Sequence, residues 1–287
     1  MRDLNHQLRQ FCRHNKDGSY ATQANRVTML ELMANQLDAL GYRKLNAKSL
    51  KQKHVQALTR RWMAQGLSPS TVKNRMSILR WWAKKIGKPN IVAKHNHQYG
   101  IPNRRYVGPS KAQVLNRDAV AGIKDPYVRL SVELQAAYGL RREEAIKFQP
   151  SFGDQGDRIV LKASWTKGGK GRVIPIRTEA QRELLDRVHE LAGRGALIPA
   201  QMNYYQQLKR YERQTLAVGL RKLHGLRHAY AQSRYKELTG RDCPVAGGLP
   251  SGSLSNDEKR LDFKARLIIS QELGHRREQI TVAYLGR

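Results

Sequence analysis

The sequence predicts a mainly α-helical protein with one small antiparallel β-sheet, in two domains joined by a basic linker. Three observations carry this. Apolar residues recur at helical spacing through residues 1–87 and again beyond 113. The stretch 88–112 holds Pro89, Pro102 and Pro109 and few periodic apolar positions. Two short β-type runs, 158–163 and 172–176, flank a turn rich in glycine. The expected domains are therefore a helical bundle over 1–87, a linker over 88–112, and a second domain over 113–287.

In the first domain, Leu4, Leu8, Phe11 and Cys12 predict a short helix that ends near Asp17-Gly18. Val27, Leu30, Leu32, Met33, Leu37 and Leu40 predict a second over about 20–41. Leu50, Val55, Leu58 and Trp62 predict a third over about 47–65. Ser68-Pro69 is a capping residue followed by proline at the first helical position, and it opens a fourth helix with Val72, Met76, Leu79, Trp82 and Ile86. Lys73, Arg75, Arg80 and Lys84 fall between those apolar positions and make a cationic face, a candidate contact for phosphates. Arg104 and Arg105 extend that candidate set into the linker.

In the second domain, helices are expected near 116–123 and 126–138, the latter ended by Gly139, and a further one from Arg141 with Glu143 and Glu144 in its first turn. The strands 158–163 and 172–176 follow, with Lys167 and Lys170 in the turn between them. Thr178-Glu-Ala-Gln181 reads as a capping box that starts the next helix, and another helix covers 202–217. His224-Gly-Leu-Arg-His228 starts a helix. Residues 240–263, with Pro244, Gly247-Gly248 and Pro250-Ser-Gly-Ser, read as an inserted loop. A helix at about 262–273 leads to Leu273-Gly-His275.

Charge narrows the partner. The chain of 287 residues has 53 basic and 23 acidic side chains, a net +30. Residues 1–100 hold 19 of the basic and 4 of the acidic ones, so half of the excess lies in these residues and half in the remainder. An excess distributed in this way fits a polyanionic partner, nucleic acid first. Cys12 and Cys243 form neither a disulfide framework nor a metal pair. No apolar run approaches membrane-spanning length and no signal core is present, so a cytoplasmic, nucleoid-associated location is expected and no membrane partner. The Gly-rich turn lacks the order of a phosphate-binding P-loop. His224 and His228 lack the glutamate of a metalloprotease helix, since Gly225 stands there instead.

The chemistry centres on the last fifteen residues, where His275 precedes Tyr284 by nine positions. A free phenol, with pKa ~10, is a poor nucleophile at neutral pH unless cations favour the phenolate. Earlier motifs supply cations: Arg141 in Gly139-Leu-Arg141, Lys167 in the hairpin, and His224 and Arg227 in His224-Gly-Leu-Arg227. Two arginines can hold a phosphate through paired hydrogen bonds at any physiological pH.

This set, in this order from Arg141 to Tyr284, resembles the tyrosine recombinase (phage integrase) family. The resemblance implies a helical core-binding domain that clasps DNA, followed by a catalytic domain. It implies that Tyr284 attacks a DNA phosphodiester to form a 3′-phosphotyrosyl bond, with Arg141, Arg227, His224 and His275 on the phosphate. Lys167 would protonate the leaving 5′-oxygen, with Lys170 as runner-up, and Glu144 would support the site. Arg142 competes with Arg141, but the Gly-Leu-Arg register favours Arg141. Lys170 and Arg172 are candidate DNA contacts. His228 would pack near the site, and Tyr230 and Tyr235 do not match the family's nucleophile position. Strand exchange through a Holliday junction would follow, with no metal or nucleotide cofactor.

The implied partners are double-stranded DNA, further copies of the chain as a tetramer on DNA, and accessory DNA-bending proteins. Only Leu285-Gly-Arg287 follow Tyr284, so a monomer is expected away from DNA. The alternatives are a type IB-like topoisomerase, which shares the chemistry without exchange, and a catalytically silent regulatory or architectural DNA-binding protein.

Overall fold

The structure is a computed structural model that describes residues 3–103 and 108–287; Arg104 and Arg105, expected as DNA contacts, lie outside the described residues. The chain forms two compact units, residues 1–105 and 106–287. Among the described residues, no helix is long and apolar enough to cross a membrane.

The first unit is built from α1 (Asp3–His14), α2 (Tyr20–Ala39), α3 (Gln52–Ala64) and α4 (Pro69–Lys85). Ser68 caps α4, accepting the Thr71 N–H at 3.2 Å, with Pro69 in the first turn as the sequence predicts. Val72, Met76, Leu79 and Trp82 then recur every three or four residues and point into one core with Leu30, Met33, Leu37, Leu58 and Trp62. The two buried indoles are satisfied: Trp62 Nε1 donates to Gln36 Oε1 at 2.8 Å, and Trp82 Nε1 to the Ala47 carbonyl at 2.8 Å. The stretch expected as a linker from residue 88 behaves differently up to residue 103. It makes two short 3₁₀ turns, Pro89–Ile91 and Asn96–Tyr99, and buries Val92 and Ile101 in this same core. Prolines and glycines punctuate it, but its few apolar side chains find a pocket.

The second unit contains α5 (Arg117–Ala121), α6 (Pro126–Tyr138), α7 (Arg142–Ile146), α8 (Pro150–Gly153), β1 (Arg158–Leu161), β2 (Arg172–Pro175), α9 (Glu179–Ala192), α10 (Tyr204–Ala217), α11 (His224–Thr239), α12 (Asn256–Glu272) and α13 (Val282–Leu285). The strands pair antiparallel in the register Ile159↔Ile174 and Leu161↔Arg172. Side chains alternate along a strand, so Arg172 shares the buried face of Ile174 while Val173 faces outward. Ile159, Leu161 and Ile174 pack with Leu134 and Tyr138 of α6, Leu184 and Leu185 of α9, Ala231 and Tyr235 of α11, and Ile269 of α12.

The expected loop 240–263 is shorter than its composition predicts, because α12 starts at Asn256 rather than near 262. Ser255 and Glu258 form a reciprocal capping box: Ser255 N–H donates to Glu258 Oε2 at 2.8 Å, and Glu258 N–H to Ser255 Oγ at 3.3 Å. That signature was present in the sequence, hidden behind the Pro/Gly/Ser run before it.

Candidate active site

Arg141 occupies the N-cap of α7, where the first N–H groups lack intrahelical partners. Its own N–H donates to Glu144 Oε2 at 2.6 Å and its Nη1 to Glu144 Oε1 at 2.8 Å. Glu144 is fully buried and also receives Arg172 Nη1 at 2.8 Å and Nη2 at 2.6 Å. Burial alone would raise this carboxyl, but the two guanidiniums, Arg172 foremost, outweigh it and bring the pKa to about 2. Arg172 Nε donates to the Glu272 carbonyl at 2.8 Å. Arg172, expected as a DNA contact, is thus a buried tie between β2, α7 and α12. Arg142, the competitor of Arg141, points elsewhere and pairs with Glu212 at 3.1 Å on the surface.

α12 ends at Leu273-Gly274-His275. Gly274 is left-handed (φ +70°), so its N–H bonds the Gln271 carbonyl at 2.8 Å and the His275 N–H bonds the Ser270 carbonyl at 2.7 Å. The Leu273 carbonyl is left free of the helix ladder and accepts from both Arg141 Nη2, at 3.4 Å, and Arg227 Nη2. Beyond the turn, His275 Nε2 is buried without a hydrogen-bond partner. Burial, and then the charges of Arg227, Arg141 and Arg172, push this imidazole down to about 4.

α11 brings His224, Arg227 and His228 to the same place. Gly225 allows this, because residues 111–113 cross its first turn so closely that a Cβ would sit 2.7 Å from the Lys111 carbonyl. Arg227 is completely buried. Its Nη1 donates to the carbonyl of Gly139, the left-handed residue that ends α6, and its Nε donates to Tyr284 Oη at 3.4 Å. Burial lowers its pKa to about 10, partly offset by Tyr284, so it is charged at neutral pH.

Tyr284 lies on α13 with 7 % of its surface exposed. Three imidazoles surround its ring, with centroid distances of 4.7 Å to His228, 6.1 Å to His275 and 6.4 Å to His224. Burial, then the neighbouring His224 and the charge of Lys111, push His228 down to about 4. His224 is lowered too, by desolvation and then by Arg227 and Arg141. The two tyrosines of α11 are held as donors: Tyr230 Oη to Glu272 Oε2 at 2.7 Å and Tyr235 Oη to Asp262 Oδ1 at 2.6 Å. Burial and these carboxylates raise both phenols, the opposite of what a nucleophile needs.

Five of the six candidate catalytic residues, Arg141, His224, Arg227, His275 and Tyr284, therefore converge, with Glu144 behind them. Lys167 does not join them. It is exposed in a turn clasped by Thr166, whose Oγ1 donates to the Lys170 carbonyl at 2.6 Å. Neither Lys167 nor Lys170 makes a side-chain hydrogen bond or ion pair among the described residues. On α4, Lys84 is exposed, whereas Lys73 donates to Asn103 Oδ1 at 3.4 Å and Arg75 lies over the Trp62 ring at 5.3 Å. Arg80, a candidate DNA contact, donates to the Ala93 carbonyl at 3.0 Å and to Asn96 Oδ1 at 2.8 Å, which ties the 93–96 turn to α4. Sequence reading missed Gln232, which donates to the Tyr284 carbonyl at 3.1 Å, and Ser110, which bonds Gln232; nothing local to either marks it. Among the described residues, no three of His, Cys, Asp and Glu cluster closely enough to hold a metal ion.

A buried tyrosine beside a fixed guanidinium, with a second guanidinium and neutral imidazoles around it, is suited to an anionic tetrahedral group. The family model described as "Phage integrase, N-terminal" matches residues 1–92, and the one described as "Integrase" matches residues 104–233. No curated relative aligns with the chain by sequence. Among solved structures, a lambda integrase (75–356) dimer bound to a COC′ core site is 16 % identical with a TM-score of 0.61, covering 99 % of this chain and 96 % of that one. The Tn1549 transposon integrase in complex with circular intermediate DNA is 14 % identical with a TM-score of 0.56, covering 100 % of this chain and 96 % of that one. XerH site-specific recombinase bound to difH substrate is 17 % identical with a TM-score of 0.56, covering 98 % and 80 %. At such identities the likeness establishes a shared fold, and the two family models between them match most of the sequence: the chain belongs to the tyrosine recombinase (phage integrase) family.

Proposed function

We propose that this chain is an active site-specific DNA recombinase in which Tyr284 is the nucleophile. The observation that carries the reading is the approach of Arg227 Nε to Tyr284 Oη at 3.4 Å, with Arg141 sharing the Leu273 carbonyl with Arg227. The Tyr284 hydroxyl gives its proton to a neighbouring neutral imidazole as its oxygen bonds to phosphorus, and the bond from phosphorus to the 5′-oxygen breaks, which leaves a 3′-phosphotyrosyl adduct and, once that oxygen is protonated, a 5′-hydroxyl. Arg141 and Arg227 face the non-bridging oxygens. His224 and His275 assist, and the unpartnered His275 Nε2 is available to a phosphate oxygen. Lys167 delivers a proton to the leaving 5′-oxygen, which requires its exposed turn to close on bound DNA. The 5′-hydroxyl of a partner strand then attacks the adduct, so the phosphoester bond is conserved and exchange proceeds through a Holliday junction. Positioning and charge stabilisation supply the acceleration. The related structures solved with DNA, lambda integrase and XerH among them, support DNA as the substrate.

The test is a nicked, end-labelled DNA carrying the recombination site, mixed with protein in excess chelator and run on a denaturing gel. The wild type gives a slow-migrating covalent band and Tyr284→Phe gives none, while DNA binding persists. A band of equal strength from Tyr284→Phe overturns the assignment. Recombinant joints from two intact sites distinguish exchange from simple relaxation of DNA.

A further inference from the structure

Tyr284 is carried by a helix of only four residues, α13. A helix that short has no stability of its own, so tertiary ties place the tyrosine. One is Arg266 Nη1, which donates to the Gly286 carbonyl at 3.0 Å. Another is Gln232 on α11, whose Nε2 donates to the Tyr284 carbonyl at 3.1 Å. The same nitrogen donates to Ser110 Oγ at 3.0 Å, and Ser110 Oγ lies 3.3 Å from Gln232 Oε1. Ser110 Oγ in turn accepts the Ala112 N–H at 3.2 Å.

Ser110 belongs to the segment 108–113, which is seated on α11 at a second point, where the Gln113 N–H donates to the Gly225 carbonyl at 3.1 Å. Gly108, Pro109 and Lys111 line a narrow cleft with His228, Tyr284 and Gly286. One primary amide thus bridges two segments far apart in sequence, the 108–113 segment and the tyrosine helix, and uses both hydrogens of its Nε2 to do so. A carboxylate at this position could still accept from Ser110 but would face the Tyr284 carbonyl with no donor.

We propose that Gln232 is a positioning residue for DNA cleavage: it ties the main chain of Tyr284 to the 108–113 segment, so attack is fastest when that segment is seated on α11. The inference rests on the reading of Tyr284 as the nucleophile.

The test uses the full chain with Gln232→Met, Gln232→Glu, Ser110→Ala and the double variant Ser110→Ala/Gln232→Met, beside wild type and Tyr284→Phe. Methionine keeps the length of the side chain and removes its polar groups. Without DNA, hydrogen exchange is followed in the peptide covering 279–287; both Gln232 variants exchange faster there and Ser110→Ala moves the same way. On saturating nicked DNA, the first-order rate of adduct formation falls about tenfold in both Gln232 variants, the effect of losing one net hydrogen bond. Affinity for DNA stays within about twofold of wild type, because phosphate contacts elsewhere dominate it. The double variant is no slower than Gln232→Met, since the bridge is already broken. Wild-type rates in Gln232→Met and Gln232→Glu, or effects of Ser110→Ala and Gln232→Met that multiply, overturn the bridge. An adduct from Tyr284→Phe, or none from wild type, shows instead that the nucleophile assignment has failed, and the positioning role fails with it.

Discussion

Arg141 and Arg227 look equivalent as motif arginines, but their surroundings differ. Arg227 is fully buried and satisfies the Gly139 and Leu273 carbonyls. Arg227→Ala strands the Gly139 carbonyl and leaves the Leu273 carbonyl only its long bond from Arg141 at 3.4 Å, so a loss of about 2–4 kcal/mol in folding stability is expected with the loss of cleavage. Arg141 is half-buried, and its partner Glu144 keeps Arg172 when Arg141 is removed. Arg141→Ala is therefore expected to melt near wild type and cleave about 10²–10³ times more slowly. Urea titrations beside the adduct assay check the contrast; equal destabilisation by both alanines contradicts it. The imidazoles add a dependence on pH. His228 and His275 sit at about 4 in the fold, below the ~6.5 of an unfolded histidine, so folding favours their neutral forms. Their contribution is complete above pH ~6.5 and is lost as pH falls towards about 4. Glu144, lowered to about 2, adds a loss that begins only below its unfolded value of 4.5. The urea midpoint is expected to drop between pH 7 and 4.5, and to drop less in His228→Gln. A flat midpoint over that range refutes the assignment.

At the level of elements, the candidate active site depends on where helices stop. Gly139 ends α6 and Gly274 ends α12, and each leaves a carbonyl aimed at Arg227. Gly286 follows α13 with φ +72° and ψ −170°, a region open essentially to glycine alone. A Cβ there would lie 2.9 Å from the Val245 nitrogen, in the 3₁₀ turn Pro244–Ala246. Gly286→Ala is expected to cost about 1–3 kcal/mol of local order, seen as a roughly tenfold slower adduct with DNA binding unchanged. Wild-type cleavage by this variant would mean that the turn does not locate the tyrosine. The same turn lies within the stretch 240–263, whose composition reads as a loose insertion. In the fold, its Cys243 and Leu254 are buried and its turn supports the end of α13.

Across the whole molecule, a net charge of +30 makes phosphate neutralisation the main source of affinity. Binding that neutralises several phosphates is expected to weaken roughly a thousandfold or more between about 50 and 200 mM salt. Individual charges divide by their commitments. Lys84 is exposed, and Lys84→Gln is expected to reduce the salt slope by about one with stability unchanged. Arg80 holds the 93–96 turn, and Arg80→Gln is expected to lower the melting temperature and barely alter the slope. Salt titrations by fluorescence anisotropy, paired with thermal melts, distinguish the two; a reversed pattern contradicts the division.

The helices are legible in the sequence because their signals are local: the Ser68-Pro69 start, the glycine stop at Gly139, the capping residues and the spacing of apolar positions. The sequence also carried the family, through the order Arg141, His224, Arg227, His275 and Tyr284, and its Gly-Leu-Arg register favoured Arg141 over Arg142. Even Arg172 was half legible, since strand alternation from Ile174 turns it inward. What Arg172 meets there, Glu144, lies 28 residues away and is brought to it by packing. The same holds for Arg227 with Gly139 at a separation of 88 residues, and for Ser110 with Gln232 at 122. No local propensity specifies such pairs. They follow from which helix ends the packed core brings together, and from the rule that a buried carbonyl or carboxylate must find a donor.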